Sequence, residues 1–188
     1  DRPKLIIGLT VVILIVSLAG LMRIEIDSNF FNFFAEDSEP RIAYDFVRDK
    51  FNGSESVEII IEGDDLTDSE ILQAVENFQG ELYETGMVGK PMSIVDIISR
   101  TNQALQTGEG NYNHVPDSSN LISQYLLLIE MNDSQYLERF LTFEEDGARI
   151  QALVQDTSGA EIDRLMSKID ELGEKYFGDQ PVEMTSTG

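Results

Sequence analysis

Hydrophobic residues along this chain fall into three patterns. The first is unbroken: Leu5 to Met22 (LIIGLTVVILIVSLAGLM) runs eighteen residues without a charge. As a helix it would reach ~27 Å, and a hydrocarbon core is about 30 Å thick, so residues 1–23 are expected to hold one transmembrane helix with Lys4 and Arg23 snorkelling at its ends. A buried core helix and a signal peptide, whose apolar core is normally ~7–15 residues, are the rival readings. Arg2 and Lys4 favour a cytoplasmic basic flank, which puts residues 24–188 on the extracytoplasmic side; Arg23 pulls weakly the other way.

The second pattern alternates with period two. Ile24 and Ile26 alternate with Glu25 and Asp27, Ser56 to Glu62 reads SVEIIIE, Arg149 to Gln155 reads RIQALVQ, and Val182 to Thr187 closes the chain in the same manner. These are strand signals, and Met87 to Val95 is expected to contain another. The third pattern has helical spacing. Ile71, Leu72, Val75, Phe78 and Leu82 share one face behind a capping box at Thr67-Asp68-Ser69-Glu70. Ile162, Leu165, Met166, Ile169, Leu172 and Tyr176 share another behind Ser158-Gly159-Ala160-Glu161. Gly86 and Gly178 end those helices. An earlier helix, capped by Ser38 with Pro40 in its first turn, carries Ile42, Ala43, Phe46 and Val47 on its apolar face.

Strand, helix and strand thus occur twice, at about 56–95 and 149–187. The expected fold class is α+β: one N-terminal transmembrane helix, then a ferredoxin-like split β-α-β domain over 24–188 with helices on one face of the sheet. A helical insertion at about 96–145 separates the two units. It holds a helix over Ile94 to Leu105, a polar loop from Gly108 to Pro116, and a helix capped by Ser118 or Ser119.

Two segments carry more apolar surface than the pattern needs. Phe30-Phe31-Asn32-Phe33-Phe34 reads as an interfacial belt, a cargo contact or a core plug, with core packing favoured. Tyr125-Leu126-Leu127-Leu128-Ile129 is apolar on most sides of its helix, which calls for burial or for a partner or apolar cargo, with burial again favoured. The cargo-contact candidates are Phe30, Phe31, Phe33, Phe34, Tyr125, Leu126, Leu128 and Ile129.

Charge narrows the function. With 13 basic and 35 acidic residues the net charge is −22, which disfavours nucleic acid and anionic lipid headgroups as partners of the surface at large. The chain has no Cys, so disulfides and thiolate sites are excluded. His114, the single histidine, sits on a loop without an organised nucleophile beside it. The acidic run Asp64 to Glu70 lacks the glycine and distal glutamate of a calcium loop. Catalytic, cofactor and metal residues are therefore not assigned, and the chain is not expected to be an enzyme. Asn52-Gly53-Ser54 and Asn132-Asp133-Ser134 are glycosylation sequons of the kind that also arise by chance.

Ordered short stretches carry a family resemblance. Arg2-Pro3-Lys4 precedes the apolar run. Phe33-Phe34, Ser38-Glu39-Pro40 and Phe51-Asn52-Gly53-Ser54-Glu55-Ser56-Val57-Glu58 follow it. Then come Asn102-Gln103-Ala104-Leu105, Gly108, Tyr112, Pro116-Asp117-Ser118 and Gln124-Tyr125-Leu126-Leu127-Leu128. In this order the chain resembles one half of an RND-superfamily exporter of the MMPL-like type, and looks most like the second half. The resemblance implies a spanning helix followed by an extracytoplasmic porter domain, and proton-driven export of lipids or other hydrophobic compounds at the cell membrane. It implies as partners the remaining transmembrane helices, the other porter domain of the same transporter, and a possible homo-oligomer. The unusual acidity departs from the typical member. The alternative is a membrane-anchored extracytoplasmic binding or scaffold domain.

Overall fold

β1 (Glu55–Gly63) is the central strand of a three-stranded antiparallel sheet ordered β2-β1-β3, with β2 (Gly147–Val154) and β3 (Val182–Thr187) on its flanks. The computed structural model describes residues 3–21, 30–51, 53–106, 110–142, 144–154 and 158–187. The expected strand at Arg23 to Asp27 lies outside them. Period-two patterning sets the sheet register. Val57, Ile59 and Ile61 pair with Ala152, Ile150 and Ala148, and all six are buried. On the other face Glu58 meets Arg149 in a cross-strand ion pair at 3.5 Å.

The buried face is covered by α3 (Ser69–Glu84) and α6 (Gly159–Phe177). Phe78 of α3 and Phe177 of α6 meet with ring centroids 5.5 Å apart, and Leu82, Leu165, Ile169 and Leu172 fill the layer around them. The apolar faces expected for both helices are the faces that pack. Their caps differ in detail. Asp68, not Thr67, caps α3 by accepting the Glu70 N–H at 2.8 Å. Thr67 instead bonds through its N–H and hydroxyl to Asp65. Ser158 stands at the N-cap of α6 but makes no side-chain capping bond there.

Three expectations are corrected. First, among the described residues no helix is long and apolar enough to cross a membrane, which overturns the transmembrane helix in the expected fold class. α1 (Pro3–Leu21) is helical. The architecture among the described residues is α+β, with six α-helices and the three-stranded sheet.

Second, Met87 to Val95 does not form a continuous strand. Val88 and Met92 make isolated antiparallel bridges to Val154 and Gln151 on the outer edge of β2. Pro91, between them, has no N–H to donate, and Ser93 already caps α4 (Ile94–Leu105). Third, α2 (Glu39–Phe51) turns the opposite way from its expected packing. Ile42, Phe46 and Val47 are exposed and Tyr44 is buried, because the ring of Phe31 stacks on Tyr44 at 4.2 Å.

Candidate cargo groove

The groove is built by α4 and α5 (Ser119–Leu137). Ser93 and Asp96 form a reciprocal capping box that starts α4. The Asp96 carboxylate accepts from the Ser93 N–H and from Gln79 Nε2, each at 3.1 Å, and pairs with Lys90 at 3.0 Å. Ile94, Val95 and Ile98 of α4 are buried, which leaves Arg100, Ala104 and Leu105 on the outside.

α5 is capped by Ser118, whose hydroxyl accepts the Leu121 N–H. Ile122, Tyr125 and Leu126 are buried and Ile129 is half-buried. This i, i+3, i+4, i+7 set is one amphipathic face. Leu127, Leu128 and Met131 are exposed, so burial does not account for the all-round apolar character of this helix.

Two shared features hold α4 and α5 in place. Tyr125 donates its hydroxyl to Asn102 Oδ1 at 3.1 Å. Asn102 Nδ2 in turn donates to the carbonyls of Tyr112 and His114, at 2.9 and 3.0 Å, tying the intervening loop to the helices. Farther along, α5 kinks at Asp133 (φ −159°, ψ 88°), whose Oδ1 accepts the Tyr136 N–H at 3.1 Å. The Asn132-Asp133-Ser134 stretch supplies the cause. Short polar side chains compete for backbone partners and restart a helix as caps.

The kink brings Asn132, Asp133 and Tyr136 around the end of a groove of about 520 Å³, whose walls include Met92, Ile97, Ala104, Leu105, Leu128 and Ile129. A second, larger cleft of about 740 Å³ lies between α3 and α4. Its lining sets Glu76, Gln79, Lys90, Ser99, Gln103 and Asn113 among Tyr83, Pro91 and Val95. The two cavities share Asp96 and Arg100. The smaller one has the walls suited to apolar matter.

The expected cargo-contact residues divide. Leu128 and Ile129 line the α4–α5 groove. Tyr125 and Leu126 are 3% and 4% exposed and belong to the core beneath it. Phe31, Phe33 and Phe34 do not line the groove. Phe31 and Phe34 lie half-buried and Phe33 is 82% exposed. Phe30 begins the 3₁₀ turn Phe30–Phe33, and its side chain lies outside the described residues. Sequence reasoning missed Met92, Ile97, Leu105, Tyr136 and Arg100. A signal was present in α4, where Ile97, Ala104 and Leu105 fall on the side away from Val95 and Ser99.

No family model matches this chain, and no curated protein matches it significantly.

Proposed function

We propose that this chain is part of a membrane exporter of lipids or other hydrophobic compounds, of the RND-superfamily MMPL-like type, and acts by guiding cargo rather than by catalysis. The observation that carries the reading is the α4–α5 groove. It holds an exposed Leu128 and a half-buried Ile129 against Ile97 and Leu105, on a protein whose charge would otherwise keep its surface wet. An apolar groove left open to solvent marks a contact surface. In the exporter, the membrane helices and the other porter domain are the partners that would move this domain between cargo-facing positions.

Dye accumulation in cells tests it. Deleting the gene that encodes this chain is expected to raise uptake of the hydrophobic dye N-phenyl-1-naphthylamine. The wild-type gene is expected to restore export, and a protonophore to abolish it. Leu128→Glu puts a charge in the groove at an exposed position and is expected to restore export poorly. Equal dye accumulation with and without the gene would overturn the reading.

A further inference from the structure

In a chain with 35 acidic residues, basic side chains readily find carboxylates. Arg41 and Arg48 pair with Asp45, Lys90 with Asp96, Arg149 with Glu58, Arg164 with Glu161, and Lys168 and Lys175 with Glu171 and Glu81. Arg100 makes no ion pair or hydrogen bond among the described residues, yet it is the basic residue on the wall shared by the two cavities beside α4. The carboxylates near it are already engaged. Asp96 is paired with Lys90 and accepts from Gln79 and the Ser93 N–H, Glu76 of the adjoining cleft accepts from the Ser99 hydroxyl and the Val115 N–H, and Asp133 accepts from the Tyr136 N–H. None of these carboxylates pairs with Arg100 among the described residues, so its guanidinium keeps open donors at the rim of an apolar groove that the Asp96 and Asp133 carboxylates also line.

We propose that the groove binds a carboxylate amphiphile of the fatty-acid class, with the alkyl chain along Ile97, Leu105, Leu128 and Ile129 and the carboxylate on Arg100. This rests on the groove being a cargo site and adds the chemistry of the cargo's head. A planar guanidinium matches a carboxylate with two parallel hydrogen bonds. The adjoining cleft, with Gln103 on the same helix, Tyr83 and Asn113 also on its walls, and the Glu76 carboxylate occupied by the Ser99 hydroxyl and the Val115 N–H, leaves the head in a polar setting rather than a dry one. Arg100 gives an approaching anion a local cation on a protein whose net charge is −22.

An anthroyloxy-labelled stearic acid and its methyl ester, titrated into the intact protein by fluorescence, separate head from tail. The acid is expected to bind about tenfold tighter than the ester, the increment of a charge-assisted pair. Arg100→Gln is expected to erase that difference while leaving the ester affinity unchanged. Arg139→Gln removes another exposed arginine that has no carboxylate partner among the described residues and does not line this groove. It is expected to preserve the preference for the acid. Equal binding of acid and ester by the wild type, or an Arg100→Gln variant that keeps the preference, overturns the carboxylate inference and leaves the groove reading standing. Failure of both probes to bind, or binding indifferent to Leu128→Glu, overturns the groove reading itself and this inference with it.

Discussion

Tyr125 on α5 donates its hydroxyl to the side-chain oxygen of Asn102 on α4 at 3.1 Å, and both residues are 3% exposed. The pair joins the two walls of the groove. Because Asn102 Nδ2 is also used twice on the Tyr112 and His114 carbonyls, this one amide organises two helices and the loop between them.

Removing either partner leaves buried polar atoms unpaired, and the two removals differ in size. Tyr125→Phe loses the bond to Asn102 and a long one from Gln106 Nε2 at 3.4 Å, and is expected to cost about 1 kcal/mol. Asn102→Ala takes the acceptor from the buried Tyr125 hydroxyl and a donor from two carbonyls, and is expected to cost about 2–4 kcal/mol. Urea unfolding midpoints of the two variants measure this. Equal losses would mean that the loop carbonyls draw nothing from Asn102.

Two glycines are expected to respond to alanine with opposite signs. Gly53 has φ +154°, and a Cβ there would lie 2.7 Å from the Leu153 carbonyl carbon and 2.8 Å from the Val154 carbonyl oxygen. It ends α2, with its N–H on the Arg48 carbonyl at 3.0 Å, and delivers the chain into β1. Gly53→Ala forces backbone apart and is expected to destabilise by ~1–3 kcal/mol. Gly80 is an exposed position inside α3 with nothing within 4 Å of an added Cβ. Gly80→Ala is expected to stabilise by ~0.5–1 kcal/mol through helix propensity. Thermal unfolding of the pair checks both signs at once.

An ion pair ties the two sheet-covering helices at their surface. The Lys175 ammonium of α6 donates to the Glu81 carboxylate of α3 and holds it below its ordinary range, helped by the Tyr176 hydroxyl at 2.7 Å. The same bond to Glu81 raises Lys175. A lowered Glu81 contributes stability that is present above its usual value of 4.5 and is lost as pH falls through the lowered folded value. A raised Lys175 contributes stability that is present below 10.5 and is lost as pH rises through its raised folded value. Glu81→Gln is therefore expected to flatten the acid limb of the stability curve as pH falls below the ordinary value of 4.5, and the difference from wild type should shrink in high salt because the pair is exposed. Superimposable acid limbs would show that the contact does not form in solution.

Leu126 and Leu128 show how far local pattern reaches. Both sit in the run Tyr125 to Ile129 that the sequence marks as apolar on most sides, yet one is 4% exposed and the other 51%. Period alone separated the core face of α3 from its wet face, because there the polar residues lie opposite the apolar ones. On α5 no such contrast exists at these positions, so the neighbours decide. Likewise α2 carries an apolar stripe at Ile42, Phe46 and Val47 that invites burial, but Phe31 claims the other side by stacking on Tyr44.

What the sequence determined by itself is what short-range chemistry controls. Alternation in β1 and β2 set which side chains face inward, helical spacing set the packed faces of α3 and α6, and Gly53 marked the turn before β1. Tertiary structure alone decided the rest. It reduced Met87 to Val95 to two bridges around Pro91, set α5 against α4 through Asn102, and left Arg100, among the described residues, without an ion pair at the edge of an open groove. The physical reason is that burial and pairing depend on which surfaces distant segments have already covered, and a local pattern does not record what lies across from it.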